Sequence, residues 1–118
     1  MSMTGSADRG AGGQDPSWRM DPFRLSPPGD KYHLFIAGAN HFSFTGRLAE
    51  GEGGRAFRGR PMTERAQNAN QKAIFDYIKI ATIAFWDAYL KEDGQARAYL
   101  ASDKLKGYSR GAVTIFRK

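Results

Sequence analysis

Tyr32-His33-Leu34-Phe35-Ile36-Ala37 is apolar at successive positions, interrupted only by His33. That run predicts a strand buried on both faces of a sheet, the usual state of strands in α/β proteins. Met1-Ser2-Met3-Thr4-Gly5 reads as the last residues of another strand, with residues 5–10 (GSADRG) as the turn leaving it. A helical period begins near Asn68 and runs to Glu92. Ile74, Tyr77, Ile78, Ala81, Phe85, Ala88 and Tyr89 recur at steps of three and four. Ile80, Ile83, Trp86 and Leu90 widen that stripe until only Lys72, Asp76, Lys79 and Asp87 remain as a polar ridge. The breadth of the stripe predicts a helix packed over most of its circumference. Asp93-Gly94 closes it, residues 95–106 read as a second, short helix with Ala96, Tyr99 and Leu100 inward, and residues 112–116 (AVTIF) as a short final strand.

The segments between these elements are long. Gly10 to Gly13 and Pro16, Pro22, Pro27 and Pro28 mark residues 9–31 as an irregular connection, with Trp18 and Phe23 holding it to the body. Residues 47–60, rich in Gly and Arg, read as a second irregular loop, and Pro61 as the first turn of the helix that follows. A chain that opens inside an element predicts one partial domain over residues 1–118 rather than a self-contained fold.

Composition narrows the function classes. With 41% hydrophobic and 13% aromatic residues the chain can bury a core, so disorder throughout is excluded. The absence of cysteine removes disulfides, a thiol nucleophile and thiolate metal sites. No cluster of His, Asp and Glu at ligand spacing predicts a metal, and no motif predicts a cofactor. Charged Asp76, Lys79 and Asp87 interrupt the most apolar segment, so no membrane span is expected, and no secretory signal is visible. The net charge of +6 raises nucleic acid as a partner. However, the basic residues are spread along the chain, and their nearest approach to a cluster, residues 55–60 (RAFRGR), has too few aromatics beside it for a stacking platform.

Beyond the carboxyl end of the buried strand stand Gly38-Ala39-Asn40 and then His41, followed by Phe42, Ser43 and Phe44. Loops at that edge collect the chemistry of open α/β sheets, and histidine is the side chain best suited to proton transfer near neutral pH. Phe42 and Phe44 are candidates for lining a substrate pocket beside it. His33 lies inside the strand and reads as structural.

The segments TGSAD, DPFRLSPPGDKY, the apolar strand, GANHFSF and IATIAFWDAYLKED resemble, in that order, the C-terminal portion of an α/β-hydrolase. The dienelactone-hydrolase-like, chlorophyllase-like and acetylhydrolase-like esterases are nearest in pattern. The resemblance spans about Met1 to about Leu100 and matches the last third to half of such a domain. It implies an α/β fold with two parallel strands, one long buried helix, one short helix and a short terminal strand. It also implies that Asp8 is the triad acid and His41 the base, in the family's acid-then-histidine order. Asp15, Asp21 and Asp30 rival Asp8, although Asp30 lies at the entry to the strand, the wrong end.

The family's Gly-x-Ser-x-Gly nucleophile elbow is absent. Ser2, Ser6, Ser17, Ser26, Ser43, Ser102 and Ser109 all lie outside such a pentapeptide. The oxyanion loop is missing as well. Since triad members act as a unit, the chain is expected to be inactive alone, and its partner to be an N-terminal hydrolase half or a second copy. The implied substrate of the complete enzyme is a small carboxylic ester. The other reading of the same residues is a small basic module binding nucleic acid or a partner protein.

Overall fold

β2 (Tyr32–Ile36) is the middle of a three-stranded sheet in the order β1-β2-β3, flanked by β1 (Ser2–Gly5) and β3 (Val113–Arg117). The computed structural model describes residues 1–45 and 64–118, with residues 64–69 described by their backbone alone. Residue 46, the loop expected over 47–60 and the helix start expected at Pro61 lie outside the described residues. The chain is a small mixed α/β domain with four helices among those residues: α1 (Asp21–Leu25), α2 (Glu64–Leu90), α3 (Gly94–Leu100) and α4 (Lys104–Tyr108).

β1 and β2 are parallel, with Ser2 opposite His33 and Gly5 opposite Ile36. β2 and β3 are antiparallel, with Tyr32 opposite Arg117 and Ile36 opposite Val113. The sheet is therefore mixed and three-stranded, where a sheet of two parallel strands with a short terminal strand is expected. A strand apolar on both faces also needs both edges paired, and β3 supplies the second edge of β2.

The two faces of β2 have different covers. Leu34 and Ile36 point to α2 and share one core with Ile74, Ile78, Ala81, Leu105 and Val113. Tyr32 joins Ala88 and Leu100 in an adjoining cluster that Phe85 and Tyr89 border. On the opposite face the alternate residue, His33, is enclosed by Phe23 at 5.9 Å and Phe116 at 6.3 Å between ring centroids. Phe23 belongs to α1, so the β1–β2 crossover covers this side.

That crossover is more regular than its proline content predicts. Asp15 accepts the backbone N–H of Ser17 at 2.9 Å and starts a 3₁₀ turn over Pro16–Met20, which runs directly into α1. Pro16 and Pro22 occupy first-turn positions, where the missing N–H costs nothing.

α2 matches its sequence stripe on one side only. Ile74 and Ala81 are fully enclosed, whereas Ile83, Trp86 and Leu90 are more than half exposed. The expectation of packing around most of the circumference is corrected here. Three strands about 4.8 Å apart span roughly the diameter of one helix, so the sheet covers a single face. Asp76 pairs with both Lys72 (3.4 Å) and Lys79 (2.7 Å), and Asp87 with Lys91 (2.7 Å), along the polar ridge.

The single helix expected over 95–106 is two helices. Asp93 caps α3 by accepting from Gln95 N (2.7 Å) and Ala96 N (3.2 Å). Ser102 then ends the helical ladder: its hydroxyl donates to the Tyr99 carbonyl at 2.7 Å and accepts from Lys104 N at 3.2 Å. A serine bonding its own neighbouring backbone competes with the helix in this way. No helix among the described residues is long and apolar enough to cross a membrane.

Candidate functional site

The turns leaving β1 and β2 are locked to each other. Ser6 N donates to Ile36 O at 3.1 Å, Ala7 N to Ala39 O at 3.0 Å, and Gly38 N to the Ser6 hydroxyl at 2.8 Å. Gly5 makes this approach possible, since a Cβ there would overlap the Ala39 carbonyl. The interlock brings residues 8 and 41, which are 33 positions apart in the chain, to the same carboxyl edge of parallel neighbours.

Asp8 closes its turn by donating its N–H to Gly5 O at 3.0 Å and is only 3% exposed. One carboxylate oxygen, Oδ2, accepts the Thr4 hydroxyl at 3.2 Å and is in ion-pair contact with Arg19 Nε at 3.1 Å. The other, Oδ1, lies 3.3 Å from His41 Nδ1. This distance is within ion-pair range, but the ring is not aligned for a hydrogen bond, and Oδ1 has no aligned donor among the described residues. A small rotation of the ring supplies one, and catalytic contacts commonly tighten only when a site is filled.

His41 begins a 3₁₀ turn, His41–Thr45, that Asn40 caps. The Asn40 side chain accepts from Phe42 N (2.9 Å) and Ser43 N (3.1 Å), while the Ser43 hydroxyl accepts from Asn40 N (3.1 Å). The reciprocal bonds fix the backbone under His41 and leave its imidazole two-thirds exposed. Ser43 is itself buried and donates to Gln71 Oε1 at 3.1 Å on α2. It faces away from the solvent side of His41 and serves as a tether.

Beside the pair lies a cleft of about 680 Å³, within the size range of small-molecule sites. Its walls are apolar, from Met3, Trp18, Pro22, Leu25 and Phe44, while Asp8, Arg19 and His41 contribute polar atoms. Phe44 is part of the wall. Phe42 is not: it is 72% exposed and stands edge-on to His41, with ring centroids 5.9 Å apart. Thr4 and Arg19 are site residues that the sequence does not single out, and Trp18, expected to hold the connection to the body, is 45% exposed and lines the cleft.

The three rival acids are elsewhere. Asp15 caps its own 3₁₀ turn, which holds its carboxyl below the ordinary range through the Ser17 backbone N–H. Asp21 reaches the cleft but pairs with Arg24 at 3.6 Å. Asp30, with φ 49°, sits in the turn entering β2. His33 lies at the other end of β2 from Asp8, fully buried, its Nδ1 2.8 Å from the Ser2 hydroxyl and its Nε2 without a partner among the described residues. Burial first, and the Arg24 charge second, push its pKa below the ordinary value. Among the described residues, no three of His, Asp and Glu are placed to hold a metal ion.

Comparison with known proteins finds no match among family models, curated proteins or solved structures.

Proposed function

We propose that this chain supplies the acid and the base of a serine ester hydrolase of the α/β-hydrolase type, and that the nucleophile comes from outside these 118 residues. One observation carries the reading: Asp8 Oδ1 stands 3.3 Å from His41 Nδ1 at the carboxyl edge of two parallel, adjacent strands. Burial of the carboxylate and exposure of the ring add to it, because the acid of such a pair stays in the protein while the base must reach substrate.

In this mechanism His41 Nε2 takes the proton of a serine hydroxyl as that oxygen attacks the ester carbonyl, and returns it to the departing alkoxide. A water molecule, deprotonated by the same nitrogen, then releases the acid from the acyl-enzyme. Asp8 accepts from Nδ1–H throughout, fixing the tautomer and stabilising the imidazolium. Met3, Trp18 and Phe44 form the apolar wall against which the ester's carbon skeleton rests. β1 has only one neighbour in the sheet of the described residues, and its free edge is where the sheet of the complete enzyme would continue.

The chain alone is expected to give no saturable hydrolysis of short-chain aryl esters above a His41→Ala control. Saturation is the criterion, because any exposed imidazole adds a slow background that stays linear in ester. Saturable turnover lost in His41→Ala would contradict the missing nucleophile and require a serine within the chain.

A further inference from the structure

The terminal torsion of an aspartate is broad and two-fold, so a buried carboxylate pivots unless one oxygen is fixed. In Asp8 that oxygen is Oδ2. Arg19 Nε lies 3.1 Å from Oδ2 and also 3.1 Å from the main-chain carbonyl oxygen of Asp8. The N–H is directed at the carbonyl oxygen, and that hydrogen bond holds the guanidinium charge in ion-pair contact with Oδ2. The guanidinium is held in turn: it lies over the Trp18 ring at 5.1 Å, and it belongs to the 3₁₀ turn that Asp15 caps. Its side chain is only about one-quarter exposed (27%). The Thr4 hydroxyl donates a hydrogen bond to the same oxygen at 3.2 Å, and Oδ1 alone remains facing His41.

We propose that Arg19 is the positioning residue of the Asp8–His41 pair: by clamping Oδ2 it keeps Oδ1 turned to the histidine ring. The inference rests on the reading of Asp8 and His41 as acid and base. Arg19 borders the cleft, but its positioning effect is exerted on the imidazole through Asp8. Planarity matters as much as charge here. A guanidinium presents its N–H groups in fixed directions, whereas a lysine ammonium is a point charge on a flexible stem. Arg19→Lys therefore keeps a cation beside the buried carboxylate but gives up its orientation.

Long-range ¹⁵N–¹H spectra of the full chain, recorded with the ring neutral, read the pair directly. His41 is expected in its Nδ1–H tautomer, the form Oδ1 selects, whereas an unconstrained imidazole in water prefers Nε2–H. Asp8→Asn is expected to return it to Nε2–H. Arg19→Lys, shown folded by a cooperative urea transition, is expected to lose most of the Nδ1–H preference. Thr4→Val, which leaves the Arg19 clamp in place, is expected to keep it. A folded Arg19→Lys chain with the wild-type tautomer ratio overturns the role of Arg19 and leaves the pair standing. Loss of the preference in Thr4→Val assigns the positioning to Thr4 and overturns it equally. Should Arg19→Lys not fold, the Thr4→Val result still decides in this way. A wild-type ring in the Nε2–H form, unchanged by Asp8→Asn, overturns the pair itself and this inference with it.

Discussion

His33 lies enclosed within the central strand and His41 in solvent just past its end, and protonation of His33 works against the packing of the sheet. Its Nδ1 has the Ser2 hydroxyl at 2.8 Å, but aromatic rings surround the rest of the imidazole, so a proton on it brings an uncompensated charge indoors. Folding lowers its pKa from the ordinary 6.5. The unfolded chain therefore takes up the proton first as pH falls. The stability His33 contributes is complete above 6.5 and is lost between that value and the lower folded one. Urea midpoints measured at about pH 7.5 and about pH 5.5 should fall on acidification by more in the wild type than in His33→Phe. Equal falls would contradict the account. Sequence carried much of this scale: His33 within an apolar run, His41 just past its end, and Asp8 in the turn after β1 are all legible positions. Thr4 and Arg19 are not, because their bonds to Asp8 cross between segments that no period or motif links. Phe42 and Phe44 read as a matched pair, yet a 3₁₀ turn of three residues per revolution aims positions two apart in different directions.

α2 separates two kinds of apolar residue that its sequence presents alike. Ile74 is 1% exposed in the core with Leu34 and Ile36, whereas Trp86 is 51% exposed. Ile74→Ala should cost about 2–5 kcal/mol through lost burial and a cavity. Trp86→Ala should cost less, on the order of 1 kcal/mol, since its half-exposed ring meets Phe85 edge-on at 5.1 Å between centroids. Chemical denaturation of the two variants measures both. A cost at Trp86 comparable with that at Ile74 would mean that its face is covered. Periodicity alone reveals that a helix is apolar on several sides; which side is buried depends on how wide a sheet it meets. The break between α3 and α4 was equally hidden, since Ser102 decides it through two local hydrogen bonds rather than through any change in pattern.

At the scale of the molecule, the parallel β1–β2 pair and its interlocked turns do what no single element does: they hold two loops distant in sequence at one edge. The parallel pairing of β1 and β2 is what the hydrolase resemblance implies, whereas the position of α2 on one face follows from the apolar pattern, because β2 must be covered on both faces and α2 is the longest apolar surface available. The antiparallel return of β3 does not follow from it, since a short apolar strand such as Val113–Arg117 carries no mark of direction. The hydrolase reading makes the Asp8–His41 edge one half of a reaction centre, and the missing half is defined chemically as a strand–turn–helix bearing Gly-x-Ser-x-Gly together with the oxyanion loop. The most direct measurement is ester hydrolysis by the chain joined in frame, on the β1 side, to a hydrolase half that carries both. Saturable turnover is expected, with kcat falling by at least about 1,000-fold in both His41→Ala and Asp8→Asn. Turnover that survives either substitution would contradict the assignment of Asp8 and His41 as acid and base.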